Sequence, residues 1–122
     1  MSKKLNIYIS HSKKFDYKNE LYEPLLESKI GLNNNLILPH SKEYDGIDTK
    51  NILVKSDLLI AEVSISGTGI GLELGRAECN NIPIICLLKK GTRCNSSVKR
   101  NFSIIEYTDS TDMINKIEHI IK

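Results

Sequence analysis

The stretch that decides the fold runs Leu58-Leu59-Ile60-Ala61-Glu62-Val63-Ser64-Ile65-Ser66-Gly67-Thr68-Gly69-Ile70-Gly71-Leu72-Glu73-Leu74-Gly75-Arg76-Ala77. Its first four residues are apolar without alternation, which marks a strand covered on both faces. A glycine-rich turn follows. Ile70, Leu74 and Ala77 then recur at helical spacing, predicting a helix from about Ile70 to Asn80. Pro83-Ile84-Ile85-Cys86-Leu87-Leu88 is a second continuous apolar run. A buried strand, a helix and another buried strand in succession require parallel pairing with a helical crossover.

The same alternation extends in both directions. Leu5-Asn6-Ile7-Tyr8-Ile9 reads as a first strand, with Ser10-His11-Ser12 directly after it. Between Asp16 and Lys29, Leu21, Tyr22, Leu25 and Leu26 stand at helical spacing; Pro24 either kinks that helix or starts its second half. Asn33-Asn34-Asn35 turns into a strand at Leu36-Ile37-Leu38, stopped by Pro39. A short helix is predicted from about Asp48 to Lys55, capped by Asp48 or Thr49. Beyond the deciding stretch, Lys89 to Asn101 reads as the longest loop and Ser103 to Tyr107 as a last strand. Asp109 to Lys122 closes the chain with Met113, Ile114, Ile117, Ile120 and Ile121 on one helical stripe. The expectation is one α/β domain over residues 1–122. It is a three-layer sandwich of the flavodoxin type, with a five-stranded parallel sheet in order 2-1-3-4-5.

Composition narrows the function. The chain has 122 residues, 40% hydrophobic and 26% charged, which is ordinary globular usage. Lys plus Arg is 17 against 15 for Asp plus Glu, a net charge of +2. That balance gives no basic footprint for a nucleic acid polymer or an anionic membrane. The pairs Lys3-Lys4, Lys13-Lys14 and Lys89-Lys90 are scattered and read as solvated. No apolar run approaches the roughly 20 residues that span a bilayer. Met1-Ser2-Lys3-Lys4 leads into a strand rather than a signal-peptide core. Cys79, Cys86 and Cys94 lack metal-ligand spacing and fit reduced thiols, so a cytoplasmic protein without metal or cofactor is expected, with Cys86 in the core.

In an open parallel sheet, ligands bind at the carboxyl ends of the strands. Ser10, His11 and Ser12 lie there after strand one, and His40 after strand two. Ser64, the turn Gly67-Thr68-Gly69-Ile70-Gly71 and Glu73 lie there after strand three. The glycines permit close ligand approach, and helix-terminal N–H groups favour an anion such as phosphate. The turn is neither a Walker loop nor a complete G-x-G-x-x-G, and a plain strand-to-helix turn explains it equally well. Glu73 is expected in the first helical turn, where a carboxylate gains from the helix dipole. It also stands beside the apolar stripe, where a partly desolvated carboxylate can attack an acetal carbon. Ser10, His11, Ser64, Thr68, Gly69, Gly71 and Glu73 are expected around one cavity. His119, on the last helix, reads as surface or core filler.

Ala61-Glu62-Val63-Ser64, the Thr68-Gly69-x-Gly71 turn, Glu73-Leu74-Gly75-Arg76-Ala77 and Ile82-Pro83-Ile84-Ile85-Cys86-Leu87 together resemble the nucleoside 2-deoxyribosyltransferase superfamily. The branch of 2′-deoxynucleoside 5′-monophosphate N-glycosidases is the most similar in motif. The resemblance is sharp from about Ser56 to Leu88 and covers most of the chain in element order. It implies that Glu73 is a nucleophile at C1′ of a deoxyribose, expelling the base, with water or a second base resolving the glycosyl-enzyme. It implies that Ser10, His11 and Ser12 flank sugar and base. Ser64, Thr68, Gly69 and Gly71 would hold a 5′-phosphate. Ser97, on the loop after strand four, would reach the phosphate of a neighbouring subunit in a homodimer or higher oligomer.

Three departures accompany the resemblance. The family's aspartate, counted eight residues back from Asp57, falls on Thr49, with Asp48 one position off as a possible catalytic substitute. Ser66-Gly67-Thr68-Gly69 has one hydroxyl fewer than the usual P-S-T-G turn. His11 and His40 are not family residues and read as rim histidines. The function expected is cleavage of the N-glycosidic bond of a small nucleoside or its 5′-monophosphate, as hydrolase or transferase. The alternative is a nucleotide-binding or signalling module on the same fold. A carboxylate beside Glu73 favours the enzyme, and its absence favours the module.

Overall fold

The structure is a computed structural model and describes residues 3–121. Met1 and Ser2, and the last residue of the predicted final helix, Lys122, lie outside the described residues. Five strands form one sheet in the order β2-β1-β3-β4-β5: β1 Asn6–His11, β2 Asn35–Ile37, β3 Leu58–Glu62, β4 Ile84–Lys89 and β5 Ile104–Tyr107. Every pairing is parallel. The register sets Ser10 opposite Ala61 and His11 opposite Glu62 across β1 and β3. All five residues of β3 are buried, as its unbroken apolar run requires.

The helices divide between the two faces. Helices α1 Glu23–Glu27, α2 Lys29–Asn33 and α6 Ser110–Ile121 contribute Leu25, Ile30, Met113 and Ile117 to a core that includes Ile7, Ile9, Leu58 and Ile60. Helices α3 Lys50–Val54 and α4 Thr68–Cys79 bring Leu53, Ile70, Leu74 and Ala77 against Tyr8, Leu59, Ala61 and Cys86. Alternate residues of one strand therefore feed opposite cores. The predicted stripe of α6 holds for Met113 and Ile117, whereas Ile120 turns out to solvent.

The helix predicted from Asp16 to Lys29 is broken into three pieces, and Pro24 explains the first break. It has no N–H to offer the Glu20 carbonyl, so the preceding turn widens. Lys18–Tyr22 is a π-helix in which the Glu23 N–H reaches back five residues to Lys18 O. The widened turn places Tyr17 and Tyr22, five apart, side by side with ring centroids 5.0 Å apart. Ser28 makes the second break. Its hydroxyl donates to Leu25 O at 2.7 Å and accepts from the Ile30 N–H at 3.2 Å, capping α2. Gly31 is required at this junction, because a Cβ there would stand 2.5 Å from Leu25 O.

The segment Lys89–Asn101 is not all loop. Asn95 accepts from the N–H groups of Ser97 and Val98 and caps a helix α5, Ser96–Asn101. Lys89 is not merely solvated, since its Nζ lies 2.6 Å from Glu20 Oε1 and ties the end of β4 to the π-helix. Cys86 is buried in the core, Cys79 is exposed and Cys94 half-buried, all as free thiols. No helix among the described residues is long and apolar enough to cross a membrane.

Candidate active site

Strand β1 runs two residues further than its apolar pattern suggests, to His11. Tyr8 and Ser10, two apart, share the face toward α4, and both reach Glu73. Ser10 Oγ donates to Glu73 Oε1 at 2.6 Å, and Tyr8 Oη donates to Oε2 at 2.5 Å. Tyr8 Oη also lies 2.9 Å from Thr49 Oγ1. A phenol has one proton, so the bond to the carboxylate uses it and the Thr49 hydroxyl supplies the second. Burial above all, and then the bond to Glu73, hold the Tyr8 phenol above its usual range. The result is a half-buried carboxylate with a fixed orientation at β1–β3, where the strand order reverses.

Helix α4 begins at Thr68, so Glu73 stands in its second turn rather than its first. No side chain caps this helix and its first turn carries no acidic residue. Its leading N–H groups are therefore open to an anion. Thr68, Gly69 and Gly71 are exposed there, and a Cβ added at Gly69 or Gly71 would meet nothing within 4 Å. None of the three turn glycines has positive φ; Gly67 is extended at −167°. The fold does not demand these glycines, and they leave the helix end bare. Ser12 abuts the turn: its Oγ would stand 3.8 Å from a Cβ at Gly67 and accepts from the Lys14 N–H at 3.1 Å.

His11 corrects the expectation of one cavity shared with Ser10. Adjacent residues of a strand point to opposite faces, and His11 lies on the face away from α4. It is buried there, stacked on Tyr17 with centroids 4.4 Å apart. Both its nitrogens are engaged, Nδ1 with Ser12 O at 2.9 Å and Nε2 with Tyr22 Oη at 2.7 Å. Desolvation pushes its pKa down to about 4. His40, after β2, packs against it with centroids 4.8 Å apart, and its backbone N–H donates to Tyr22 Oη at 3.1 Å.

Ser64 is likewise not free. Its hydroxyl donates to Glu62 Oε2 at 2.8 Å and accepts from the Lys89 N–H at 2.8 Å, and its own N–H bonds Glu62 Oε1 at 2.7 Å. Glu62 is fully buried and also accepts from Tyr107 Oη. Desolvation raises its pKa against these bonds. Ser64 therefore anchors the loop after β3 to β4 and leaves no donor for a phosphate.

Asp48 corrects the second catalytic expectation. It is exposed, and its Oδ1 accepts from the Lys50 N–H at 3.0 Å at the start of α3. Thr49 faces the Tyr8–Glu73 pair instead, at the position where counting back from Asp57 lands. Among the described residues, no carboxylate other than Glu73 takes part in this hydrogen-bonded group. Ser97 lies exposed on α5, and His119 is exposed on α6. Tyr8 is the member of the Glu73 group that sequence reasoning missed. Its signal was the alternation that aligns it with Ser10, obscured by its place in an apolar strand.

A cavity of about 730 Å³ opens at the opposite, amino end of β1, between α2 and α6, lined among others by Lys3, Lys29, Asn34 and His119. It shares no residue with the Glu73 group. Among the described residues no cluster of three or more His, Cys, Asp or Glu could hold a metal ion.

No protein-family model matches the chain. Over 50 residues, 41% of its length, the chain is 42% identical to a protein of Methanosarcina barkeri and 44% identical to one of Methanosarcina mazei. Both are provisionally named 2′-deoxynucleoside 5′-phosphate N-hydrolase 1. Those matches cover 31% of each relative. A Trichoplax adhaerens protein of the same provisional name is 30% identical over 74 residues, 53% of this chain and 51% of that one. The chain thus aligns with a third to a half of the length of the curated relatives it matches. The CMP N-glycosidase of Clostridium botulinum shares the fold, with a TM-score of 0.72 at 16% identity over 94% of this chain and 98% of that one. The curated matches bear out the resemblance to the nucleoside 2-deoxyribosyltransferase superfamily, and the solved structure bears out its fold.

Proposed function

We propose that the chain cleaves the N-glycosidic bond of a nucleoside 5′-monophosphate, with Glu73 as the nucleophile. The observation that carries the proposal is the paired grip of Ser10 and Tyr8 on the two oxygens of Glu73. A carboxylate held at both oxygens has its approach to an anomeric carbon fixed in advance, and such positioning supplies a large share of a rate enhancement. The uncapped start of α4, with Thr68, Gly69, Gly71 and the neighbouring Ser12, is the seat proposed for the 5′-phosphate. The names of the matched relatives agree with this substrate class. Ser97, exposed on α5, is proposed to serve the phosphate of a second copy in a homodimer, which light scattering checks.

Attack of a Glu73 oxygen on C1′ forms a sugar ester as the C1′–N bond breaks and its electrons leave with the base. Water, or a second base, then takes C1′ and frees the carboxylate. A second reading is favoured by one observation: Thr49, not a carboxylate, stands beside the Tyr8–Glu73 pair. On that reading the chain binds nucleotides without cleaving them. Incubation with deoxynucleosides, their 5′-monophosphates and CMP, followed by chromatography for free base, separates the two. Free base with a sugar adduct on Glu73 by mass spectrometry supports the enzyme. Calorimetric binding with no base released over hours supports the module.

A further inference from the structure

Retaining cleavage requires a second group that protonates the leaving atom and then deprotonates water, facing the nucleophile across the anomeric carbon. Glu73 has hydroxyls for neighbours, and Asp48 is turned away. We propose that His40 is this acid–base residue, an assignment that rests on the reading of Glu73 as nucleophile.

Three observations point to it. Neither ring nitrogen of His40 has a hydrogen-bond partner among the described residues, whereas both nitrogens of His11 are occupied. Its backbone is nonetheless pinned: the His40 N–H donates to Tyr22 Oη, which His11 Nε2 holds in turn. Its ring packs against His11 at 4.8 Å and Tyr17 at 5.6 Å, yet it remains half-buried rather than enclosed. Finally, the rings that seat His40 lie on the face of β1 opposite Tyr8 and Ser10, which hold Glu73. The rings that seat His40 thus lie on one side of the carboxyl end of β1 and the Glu73 group on the other.

The charged and titratable surroundings of His40 are Lys13 from the loop after β1, Glu73 from α4, and His11, Tyr17 and Tyr22. Burial and Lys13 favour the neutral ring, and Glu73 opposes them. Formation of the ester at Glu73 removes that opposing charge and releases the ring toward its neutral, proton-accepting form. In the first step the His40 proton passes to the departing base as the Glu73–C1′ bond forms. In the second, His40 takes a proton from water, the water oxygen bonds C1′, and the ester bond returns its electrons to Glu73. The imidazolium is restored.

The test compares the parent protein with His40→Ala and with His40→Gln, which keeps a polar planar group against Tyr17. Base release from deoxynucleoside 5′-monophosphates is followed against pH, with and without sodium azide, a nucleophile that needs no general base. Both variants are expected to lose about 10²-fold or more in turnover. They are expected to lose the limb of the pH–rate profile set by His40, and azide, which replaces water in the second step but brings no proton to the leaving base, yields a sugar azide in them without restoring the parental rate of base release. The parent gains little from azide. Variants within about threefold of the parent overturn the proposal and leave Glu73 in place. So does a loss of turnover that leaves the pH profile unchanged. A parent that releases no base from any substrate overturns the N-glycosidase reading itself, and His40 falls with it.

Discussion

Replacing Glu73 with Gln separates chemistry from structure unusually well at this site. Both carboxylate oxygens accept, from Ser10 at 2.6 Å and from Tyr8 at 2.5 Å. An amide has one acceptor and one donor end, so one hydroxyl must reverse. Tyr8 is able to, because Thr49 Oγ1 at 2.9 Å can take its proton while Tyr8 Oη accepts from the new amide. Two charge-assisted bonds become two neutral ones, at a cost of about 1 kcal/mol each. Half-exposure of the side chain lets water offset part of that, leaving about 1–2 kcal/mol. For a domain of this size that is a fall in melting temperature of about 4–8 °C. Turnover should fall far more, on the order of 10⁴-fold, or about 5 kcal/mol at the transition state, since no carboxylate remains to bond C1′. Nucleotide affinity by calorimetry should stay within about threefold, because the nucleophile acts chiefly in the transition state. The assay pairs thermal unfolding with chromatographic base release. A variant that keeps a tenth of parental turnover would refute the nucleophile assignment. A variant that fails to fold would refute the reversible Tyr8–Thr49 arrangement.

Other outcomes follow from the same contacts. Asp48→Asn should leave base release within about twofold of the parent, because the side chain only caps the Lys50 N–H. The loss in stability by urea titration should be under about 1 kcal/mol; a large loss of turnover would return Asp48 to the site. His11 is held at about 4 in the folded chain against 6.5 as the ordinary value. Between those values the unfolded chain binds the extra proton, so its contribution is complete above pH 6.5 and is lost as pH falls through about 4. Linkage puts the loss near 2 kcal/mol between pH 7 and 5. Glu62, with its pKa raised by burial, acts in the opposite sense, so the measurement is the difference between parent and His11→Phe urea midpoints. A parallel pH dependence in the two would contradict the assignment. Glu62→Ala should cost about 3 kcal/mol or more, since it leaves the Ser64 N–H and the Ser64 and Tyr107 hydroxyls without their acceptor. Chemical denaturation checks this, and a loss below about 1 kcal/mol would show that water replaces the carboxylate.

Hydrophobic patterning alone carries the layers of the fold and the parallel pairing of its central strands. Hydrophobic period is a local property, and the unbroken runs Leu58–Ala61 and Ile84–Leu88 have no exposed solution short of a parallel sheet covered on both faces. It also placed Glu73 and the glycine turn at the rim, because an α/β crossover leaves its loops at the carboxyl ends of the strands. Side-chain direction was legible only in part. Ser10 and His11 fall together on the rim only if the first strand ends at Ile9, where its apolar pattern stops. Once the strand continues to His11, alternation sends the two to opposite faces. Asp48 and Thr49 are neighbours in the segment that enters α3, just ahead of the helix, so only the path of that segment in the folded chain decides which one meets Tyr8. The π-turn before Pro24 follows from a missing backbone donor, and Ser64 is occupied by Glu62, two residues back, and by the N–H of Lys89, 25 residues on. Tertiary structure settled those, because a hydrogen bond's value lies in which distant group it satisfies once water has been excluded.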